Sequence, residues 1–165
     1  MKPQHQKSNI ERTKALETIF IAGLIAGILD SAAASTVFYL KFGLNPAQVM
    51  QFIASAIFGS RAFTGGTPMV LIGILLHFLI SFVVAALYFF CYPKMVILGK
   101  KPVLSGLSLG LVTWLVMNLL VIPLSNIQPA PSDPVGIIIS ITWHMLFIGL
   151  PISFLTRRHF YTSPV

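Results

Sequence analysis

The chain has 165 residues, of which 56% are hydrophobic and 9% are charged, and its mean hydropathy is +0.87. Soluble domains carry roughly 25% charged residues, and a soluble fold of this composition would expose apolar patches large enough to drive association. The composition therefore excludes an ordinary soluble domain and indicates that the solvent is a bilayer. The single cysteine, Cys91, also excludes an intrachain disulfide and a Cys-x-x-Cys metal or haem motif.

Four long apolar segments divide the chain. Each is close to the roughly 20 residues that a helix needs to cross a bilayer. We predict spans at about residues 18–40, 69–92, 103–124 and 135–156. Residues 1–16 are polar, which is typical of a mobile tail, and residues 159–165 form a second tail. The sequence thus predicts an all-α integral membrane protein with a single transmembrane domain over residues 17–158.

The first apolar segment admits a second interpretation. A basic start, an apolar stretch at residues 19–29 and small residues at 31–34 are also the pattern of a cleavable signal peptide. The apolar pattern resumes at residues 37–40, however, and completes a segment of bilayer length. We therefore favour a transmembrane helix at this position.

A shorter helix is predicted between the first two spans, at residues 46–59. Asn45 is a typical N-cap residue, and Pro46 suits the first helical position because its missing N–H has no partner there. A helix of this length is too short to cross a bilayer. We therefore expect an interfacial or re-entrant helix, after which glycines let the chain turn back into the second span.

Prolines also predict where spans begin and where one of them is irregular. Thr67-Pro68 and Asp133-Pro134 each pair an N-cap residue with proline at the first helical position. Asp133 is therefore predicted to be a helix cap rather than a ligand. Pro151 lies inside the fourth span, where it frees a backbone carbonyl one turn earlier and predicts a kink.

The positive charges indicate how the helices are oriented. The chain carries 11 lysine and arginine residues against 4 acidic residues, which gives a net charge of +7. Nine of these basic residues lie in the two tails and in the connection between the second and third spans, whereas the opposite side receives Lys41 and Arg61. By the positive-inside rule, both termini are predicted to lie in the cytoplasm. The charge therefore reports topology and not a nucleic-acid partner.

Three ionisable residues fall within the predicted spans, namely Asp30, His77 and His144. Ionisable side chains are costly in a bilayer and suggest a functional site by default. At about 1.5 Å per residue, all three lie near the midpoints of their spans, with Asn118 about one turn further outward. The sequence thus predicts a polar cluster of these four residues inside the membrane.

Small residues recur at helical spacing on one face of each span. Gly23 and Gly27 precede Asp30 on the first helix, and Gly106 and Gly110 repeat on the third. Glycines four residues apart let transmembrane helices approach closely. These four glycines are predicted to pack helices together, either within the chain or between copies in a homo-oligomer. One stripe cannot serve both contacts.

Three interpretations of the polar cluster remain open. In the first, the cluster is structural, and its hydrogen bonds fix the register of neighbouring helices. In the second, the acid and the two imidazoles pass a proton or a cation across the membrane. In the third, His77 and His144 hold a metal or haem, with Asp30 as a further ligand. The third has the least support, because the two histidines form no diagnostic short motif.

Several segments resemble a group of small bacterial inner-membrane proteins with four predicted spans and no established activity. The segments are QFIASAIFGSRAFTGG at 51–66, LLHFLISFVVAALYF at 75–89, VMNLLVIPLS at 116–125 and HMLFIGLPISFLTRR at 144–158. A more distant similarity is to the YagU-like inner-membrane proteins. The resemblance implies a bacterial inner-membrane location, and it implies that certain residues belong to the group's pattern: Gln51, Gly59, Gly65, Gly66, His77, Asn118 and His144. Asp30 lies outside the matching segments.

From the sequence we expect a protein that is not an enzyme and needs no cofactor. It contains no nucleophile elbow, phosphate loop or His-Glu-x-x-His motif. The leading interpretation is a structural or assembly component whose partners are the bilayer and either a second copy or another membrane protein. The alternative is a small proton- or cation-conducting transporter. A metal- or haem-binding redox protein comes third.

Overall fold

A computed structural model describes residues 3–94, 100–128 and 133–162, and within these ranges the regular structure is entirely helical. The helices are α1 (Pro3–Phe42), α2 (Pro46–Phe58), α3 (Gly66–Cys91), α4 (Pro102–Leu124) and α5, which runs through the consecutive segments Pro134–Trp143, His144–Gly149 and Leu150–Thr162. Short 3-10 turns follow α2 and α3, at Gly59–Phe63 and Tyr92–Lys94.

Four of these helices, α1, α3, α4 and α5, are long and apolar enough to cross a membrane. Large apolar side chains are exposed along their outward faces, among them Leu71, Leu75, Leu79, Phe90, Leu119 and Ile138. Apolar surface this extensive is suited to contact with lipid. The prediction of an all-α, multi-pass membrane protein with four spans and one shorter helix is confirmed.

Both predicted tails are partly helical, which differs from the sequence expectation. Helix α1 begins at Pro3, so most of the polar segment continues the first span instead of forming an irregular tail. Glutamine, lysine, glutamate, arginine and alanine are good helix formers, and polarity alone therefore does not predict disorder. At the other end, α5 continues to Thr162, and the Thr18 hydroxyl lies 2.9 Å from Nδ1 of His159. Residues 163–165 lie outside the described ranges.

The helix caps follow the sequence at two of three predicted positions. The Asn45 side chain accepts the backbone N–H of Gln48 at 3.0 Å, and the Gln48 side chain accepts the Asn45 N–H at 2.9 Å, which is a complete capping box. Asp133 caps α5 by accepting the Gly136 N–H at 2.9 Å. The prediction for Thr67 is wrong, because α3 begins at Gly66, where φ is 59°, and this turn is easiest for glycine.

The last two spans each contain a π-helical turn just before a proline. In α4 the turn is Met117–Val121, two residues before Pro123. In α5 the turn is His144–Gly149, two residues before Pro151. Proline leaves carbonyls of the preceding turn without a donor, and a wider turn lets other N–H groups reach them. The irregularity predicted at Pro151 thus takes the form of a π turn, a feature often found at functional sites.

The four glycines predicted to pack helices lie between helices of the same chain. A Cβ atom added at Gly23 or Gly27 of α1 would collide with phenylalanine rings of α3. At Gly106 or Gly110 of α4, the added atom would collide with the backbone of α5. These glycines therefore allow close approach within the bundle. A contact between copies of the chain would need a different surface.

The hydrophobic core lies where α1, α3 and α5 meet. Its buried members include Ala22, Ala26, Ala85, Tyr88, Ile148 and Ile152. Alanines let the helix axes approach, and the tyrosine and isoleucines fill the remaining space. This core occupies the part of the bundle that holds the middle of α1 and the end of α3. The opposite part, which holds the end of α1 and the start of α5, contains a cavity.

Candidate functional site

A cavity of about 510 Å³ lies among all five helices. Asp30, His77, Asn118 and His144, the four residues predicted to form a polar cluster, all line it. The polar side chains of Ser31, Lys41, Ser81, Thr113 and Ser140 line it as well. Small-molecule sites in proteins have volumes of roughly 300–1,000 Å³. The structure therefore brings the predicted residues together around a space large enough for a ligand.

Asp30 is the one acidic side chain of the described cavity wall and is buried, with 7% of its surface exposed. Its Oδ1 atom has no hydrogen-bond partner in the part of the chain that the structure describes. The carboxyl group interacts electrostatically with His144 and His77, and the indole of Trp143 lies within range of it. Nevertheless Nε1 of Trp143 also lacks a partner that satisfies hydrogen-bond geometry. The Asp30 carboxyl group and the Trp143 indole thus lie close together at the cavity, without a hydrogen bond of normal geometry at Oδ1 or Nε1 in the described residues.

The two histidines are held by backbone carbonyls. Nε2 of His77 lies 2.9 Å from the carbonyl oxygen of Gly27, and Nδ1 of His144 lies 2.7 Å from that of Ser140. Because a carbonyl only accepts, the hydrogen of each pair resides on the imidazole. In the neutral rings the opposite nitrogens, Nδ1 of His77 and Nε2 of His144, carry lone pairs. Each imidazole therefore keeps one ring nitrogen free of its backbone hydrogen bond.

Asn118 belongs to the cavity wall and bonds only to its own helix in the described contacts. Its Nδ2 donates to the Trp114 carbonyl at 3.0 Å. The Trp114 indole in turn donates to Oγ of Ser140 at 2.8 Å, and that hydroxyl donates to the Ile137 carbonyl at 2.9 Å. These bonds tie α4 to α5 and fix the indole. Asn118 also lies in one π turn and His144 begins the other, so both irregular turns border the cavity.

Helix α2 forms a wall of the cavity, and sequence reasoning missed this role. Its residues Val49, Met50, Phe52 and Ile53 line the space. Helix α2 packs against α3 at Gly73, where an added Cβ would collide with the Met50 carbonyl. Gly73 precedes His77 by four residues, or roughly one turn. Two sequence features could have predicted this contact. Gly73 lies one turn before the intramembrane residue His77, and the short helix α2 has an apolar side that needs a partner.

An ion pair between Lys41 and Asp133 lies at one end of the cavity. Lys41 also lines the cavity, while Asp133 is the N-cap of α5. The hydrogen bond from Lys41, with a second from the Gly136 N–H, lowers the pKa of Asp133. Asp133 is therefore a cap, as predicted, but its partner across the bundle was missed. Asp30 is the one acidic side chain of the described cavity wall, and the lysine of that wall, Lys41, is paired with Asp133.

The site offers few ligands for a metal ion. Among the described residues, no group of three or more histidine, cysteine or acidic side chains is arranged to hold one. A structural zinc site uses four such ligands and a catalytic one uses three. The pair His77 and His144 is thus short of the ligands that a metal centre needs from the residues described.

Comparison of the chain with protein-family models, with curated proteins and with solved structures found no match. The similarity to four-span and YagU-like inner-membrane proteins therefore stays a prediction. The cavity, its unpaired acid and its two anchored histidines are the features from which a function can be inferred.

Proposed function

We propose that this protein is a small, non-enzymatic transporter that moves protons or cations across a membrane through exchange at Asp30. The observation that carries the proposal is the position of Asp30, whose buried Oδ1 has no partner in the described residues and which lines a cavity of about 510 Å³. An acid without a partner inside a membrane is costly, and a purely structural carboxyl group would be expected to have its hydrogen bonds satisfied. A role in binding accounts for this cost.

His77 and His144 are the proposed proton-exchange partners of Asp30. Both interact electrostatically with its carboxyl group. Each also keeps one ring nitrogen free of its backbone hydrogen bond. Imidazole exchanges protons near neutral pH. In the proposed cycle, a proton or cation neutralises Asp30 in the cavity, and the free ring nitrogens of the two histidines exchange protons with it.

The proposed location is a bacterial inner membrane with both termini in the cytoplasm. Two features support it: the resemblance to small inner-membrane proteins and the unequal distribution of lysine and arginine between the two sides. In this orientation, Lys41 and Asp133 lie at the periplasmic end of the bundle. Asp30 then lies between this ion pair and the hydrophobic core, which is nearer to the cytoplasmic side. A central binding site requires such a position.

A structural role remains the second candidate. It is favoured by the hydrogen bonds of His77 and His144, which connect α3 to the Gly27 carbonyl of α1 and fix the start of the π turn in α5. Polar side chains commonly join transmembrane helices in this way. On this interpretation, replacing Asp30 would change stability and not ion movement.

Proton flux into liposomes separates the two candidates. Purified protein is reconstituted into liposomes that enclose a pH-sensitive dye, and a potassium diffusion potential drives proton entry. We expect flux above that of empty liposomes for the wild type and its loss for Asp30→Asn. The matched control is Glu17→Gln, which makes the same acid-to-amide change at an exposed position of the same helix and should keep the wild-type flux. Wild-type flux equal to that of empty liposomes, or equal flux in Asp30→Asn, would contradict the proposal.

A further inference from the structure

We propose that the cavity binds an organic cation with a bulky apolar body, and that Asp30 is its counter-ion. This inference rests on the proposed function and names its substrate class. The first support for this inference is the distribution of charged side chains in the cavity wall. Asp30 and Lys41 are the charged side chains of the described cavity wall, and Lys41 is paired with Asp133. The carboxylate of Asp30 therefore sets the sign of the ligand that the cavity prefers.

The walls of the cavity suit an apolar body better than a bare metal cation. Apolar side chains from all five helices line it, including Phe38, Met50, Phe52, Ile80, Met117 and Ile137. Hard inorganic cations need several oxygen ligands, whereas the acidic oxygens of this wall come from Asp30 alone. A ligand with one positive charge and a large apolar surface can use both the carboxylate and the walls.

Two indole rings add a second recognition element. Trp114 and Trp143 both line the cavity, on α4 and α5. Trp114 is fixed by its hydrogen bond to Ser140, and Trp143 stacks on His144 with ring centroids 5.5 Å apart. Indole faces attract organic cations through their quadrupole. Fixed rings beside an acid lower the entropy that such a ligand loses on binding.

The volume of the cavity and the negative charge of Asp30 favour an organic cation over an anion or a neutral lipid chain. A cavity of about 510 Å³ admits a ligand of several rings. An anion of the same shape would be repelled by the carboxylate of Asp30, and Lys41, the one lysine or arginine of the described wall, is already paired with Asp133. A neutral lipid chain would leave the charge of Asp30 without a counter-ion. Of these three occupants, a cation is the one that neutralises the charge of Asp30.

The test uses two ions of the same shape and opposite charge. Tetraphenylphosphonium is the cationic probe and tetraphenylborate the anionic one. Binding to the full chain in detergent micelles is measured by equilibrium dialysis, with protein-free micelles subtracted. We expect saturable binding of tetraphenylphosphonium to the wild type and to Glu17→Gln, and affinity at least about tenfold weaker for Asp30→Asn, as truncation of a buried charge partner produces. Asp30→Glu, which keeps the carboxylate, should bind within a few fold of the wild type.

The outcomes distinguish this inference from the proposed function. Equal affinity of the wild type and Asp30→Asn for tetraphenylphosphonium, or equal affinity of the wild type for the two probes, would overturn the substrate class. If proton flux in liposomes still depended on Asp30, the transporter proposal would stand without it. A folding defect in Asp30→Asn would appear as a lower melting temperature, and Asp30→Glu then carries the comparison, because its failure to bind would also overturn the inference.

Discussion

Two buried polar clusters in this bundle are built in opposite ways. Near the core, the Tyr88 hydroxyl lies 2.5 Å from Oγ of Ser105 and 3.0 Å from Oγ of Ser153, and Ser153 donates to the Pro102 carbonyl at 2.8 Å. Around the cavity, Asp30 Oδ1 and Trp143 Nε1 are buried without hydrogen bonds in the described residues. The first cluster joins α3, α4 and α5 with no space between them. The second surrounds a cavity and keeps its polar atoms available.

On the proposed function, the first cluster serves helix packing and the second serves binding. A satisfied cluster stabilises helix packing, because breaking it leaves polar atoms unpaired inside the bilayer. An unsatisfied cluster lowers stability and persists where function requires it. We therefore expect substitutions near the core to reduce stability and substitutions around Asp30 to reduce binding.

The largest loss of stability is expected for Gly110→Ala. The added Cβ would collide with backbone atoms of His144 and Met145, which cannot move as a flexible side chain does. Overpacking of this kind costs about 1–3 kcal/mol. The melting temperature in detergent should fall clearly. Gly43→Ala is not a clean control because φ at Gly43 is 69°, so Ala32→Ser, at an exposed position of α1, serves as the small-residue change away from this contact. An unchanged melting temperature for Gly110→Ala would show that α4 and α5 are further apart.

The next prediction compares the stability that each of the two clusters contributes. Tyr88→Phe removes the hydroxyl that bonds to Ser105 and Ser153, and should cost about 1–3 kcal/mol. Asp30→Asn removes a buried acid without a bonded basic partner, so its melting temperature should equal or exceed that of the wild type. Thermal unfolding of both variants in the same detergent measures this. A larger loss for Asp30→Asn than for Tyr88→Phe would reverse the assignment of the two clusters.

A smaller effect is expected at the edge of the cavity. Ser140→Ala removes the acceptor of the Trp114 indole N–H and frees the ring that it anchors. Affinity for tetraphenylphosphonium should fall by a few fold, while the Asp30 charge still attracts the cation. Equilibrium dialysis of Ser140→Ala beside Thr142→Ala, an exposed hydroxyl on the same helix, provides the comparison. Equal affinities would mean that fixing the indole contributes nothing to binding.

The smallest effect concerns the ion pair and depends on pH. Because the hydrogen bond from Lys41 lowers the pKa of Asp133 in the fold, the pair stabilises the protein at neutral pH. This contribution is lost as the pH falls from about 3.9, the ordinary value for aspartate, through the lower value in the fold. Asp133→Asn keeps a good N-cap and removes the charge. Its melting temperature should be below that of the wild type at pH 7 and should converge with it in acid. A difference that persisted in acid would contradict this cause.

Much of the fold could be predicted from the sequence, since the lengths of apolar segments are set by bilayer thickness. The cap at Asn45 and the shared depth of Asp30, His77 and His144 were also accessible, because both follow from local spacing. The cavity was not. Its volume depends on how α2 packs against Gly73 and where the π turns bend two spans, and these are tertiary properties. The ion pair of Lys41 joins residues 92 positions apart, beyond the reach of periodicity.

The central claim is that the space around Asp30 admits small molecules, whereas the cluster around Ser153 does not. It is tested by thiol labelling of Asp30→Cys and Ser153→Cys, each in a Cys91→Ser background that removes the exposed native thiol. The reagent is a methanethiosulfonate that carries a trimethylammonium group, applied to protein in liposomes. We expect Asp30→Cys to react at least about tenfold faster, because a close-packed interior excludes the reagent. Equal rates at the two positions would contradict it.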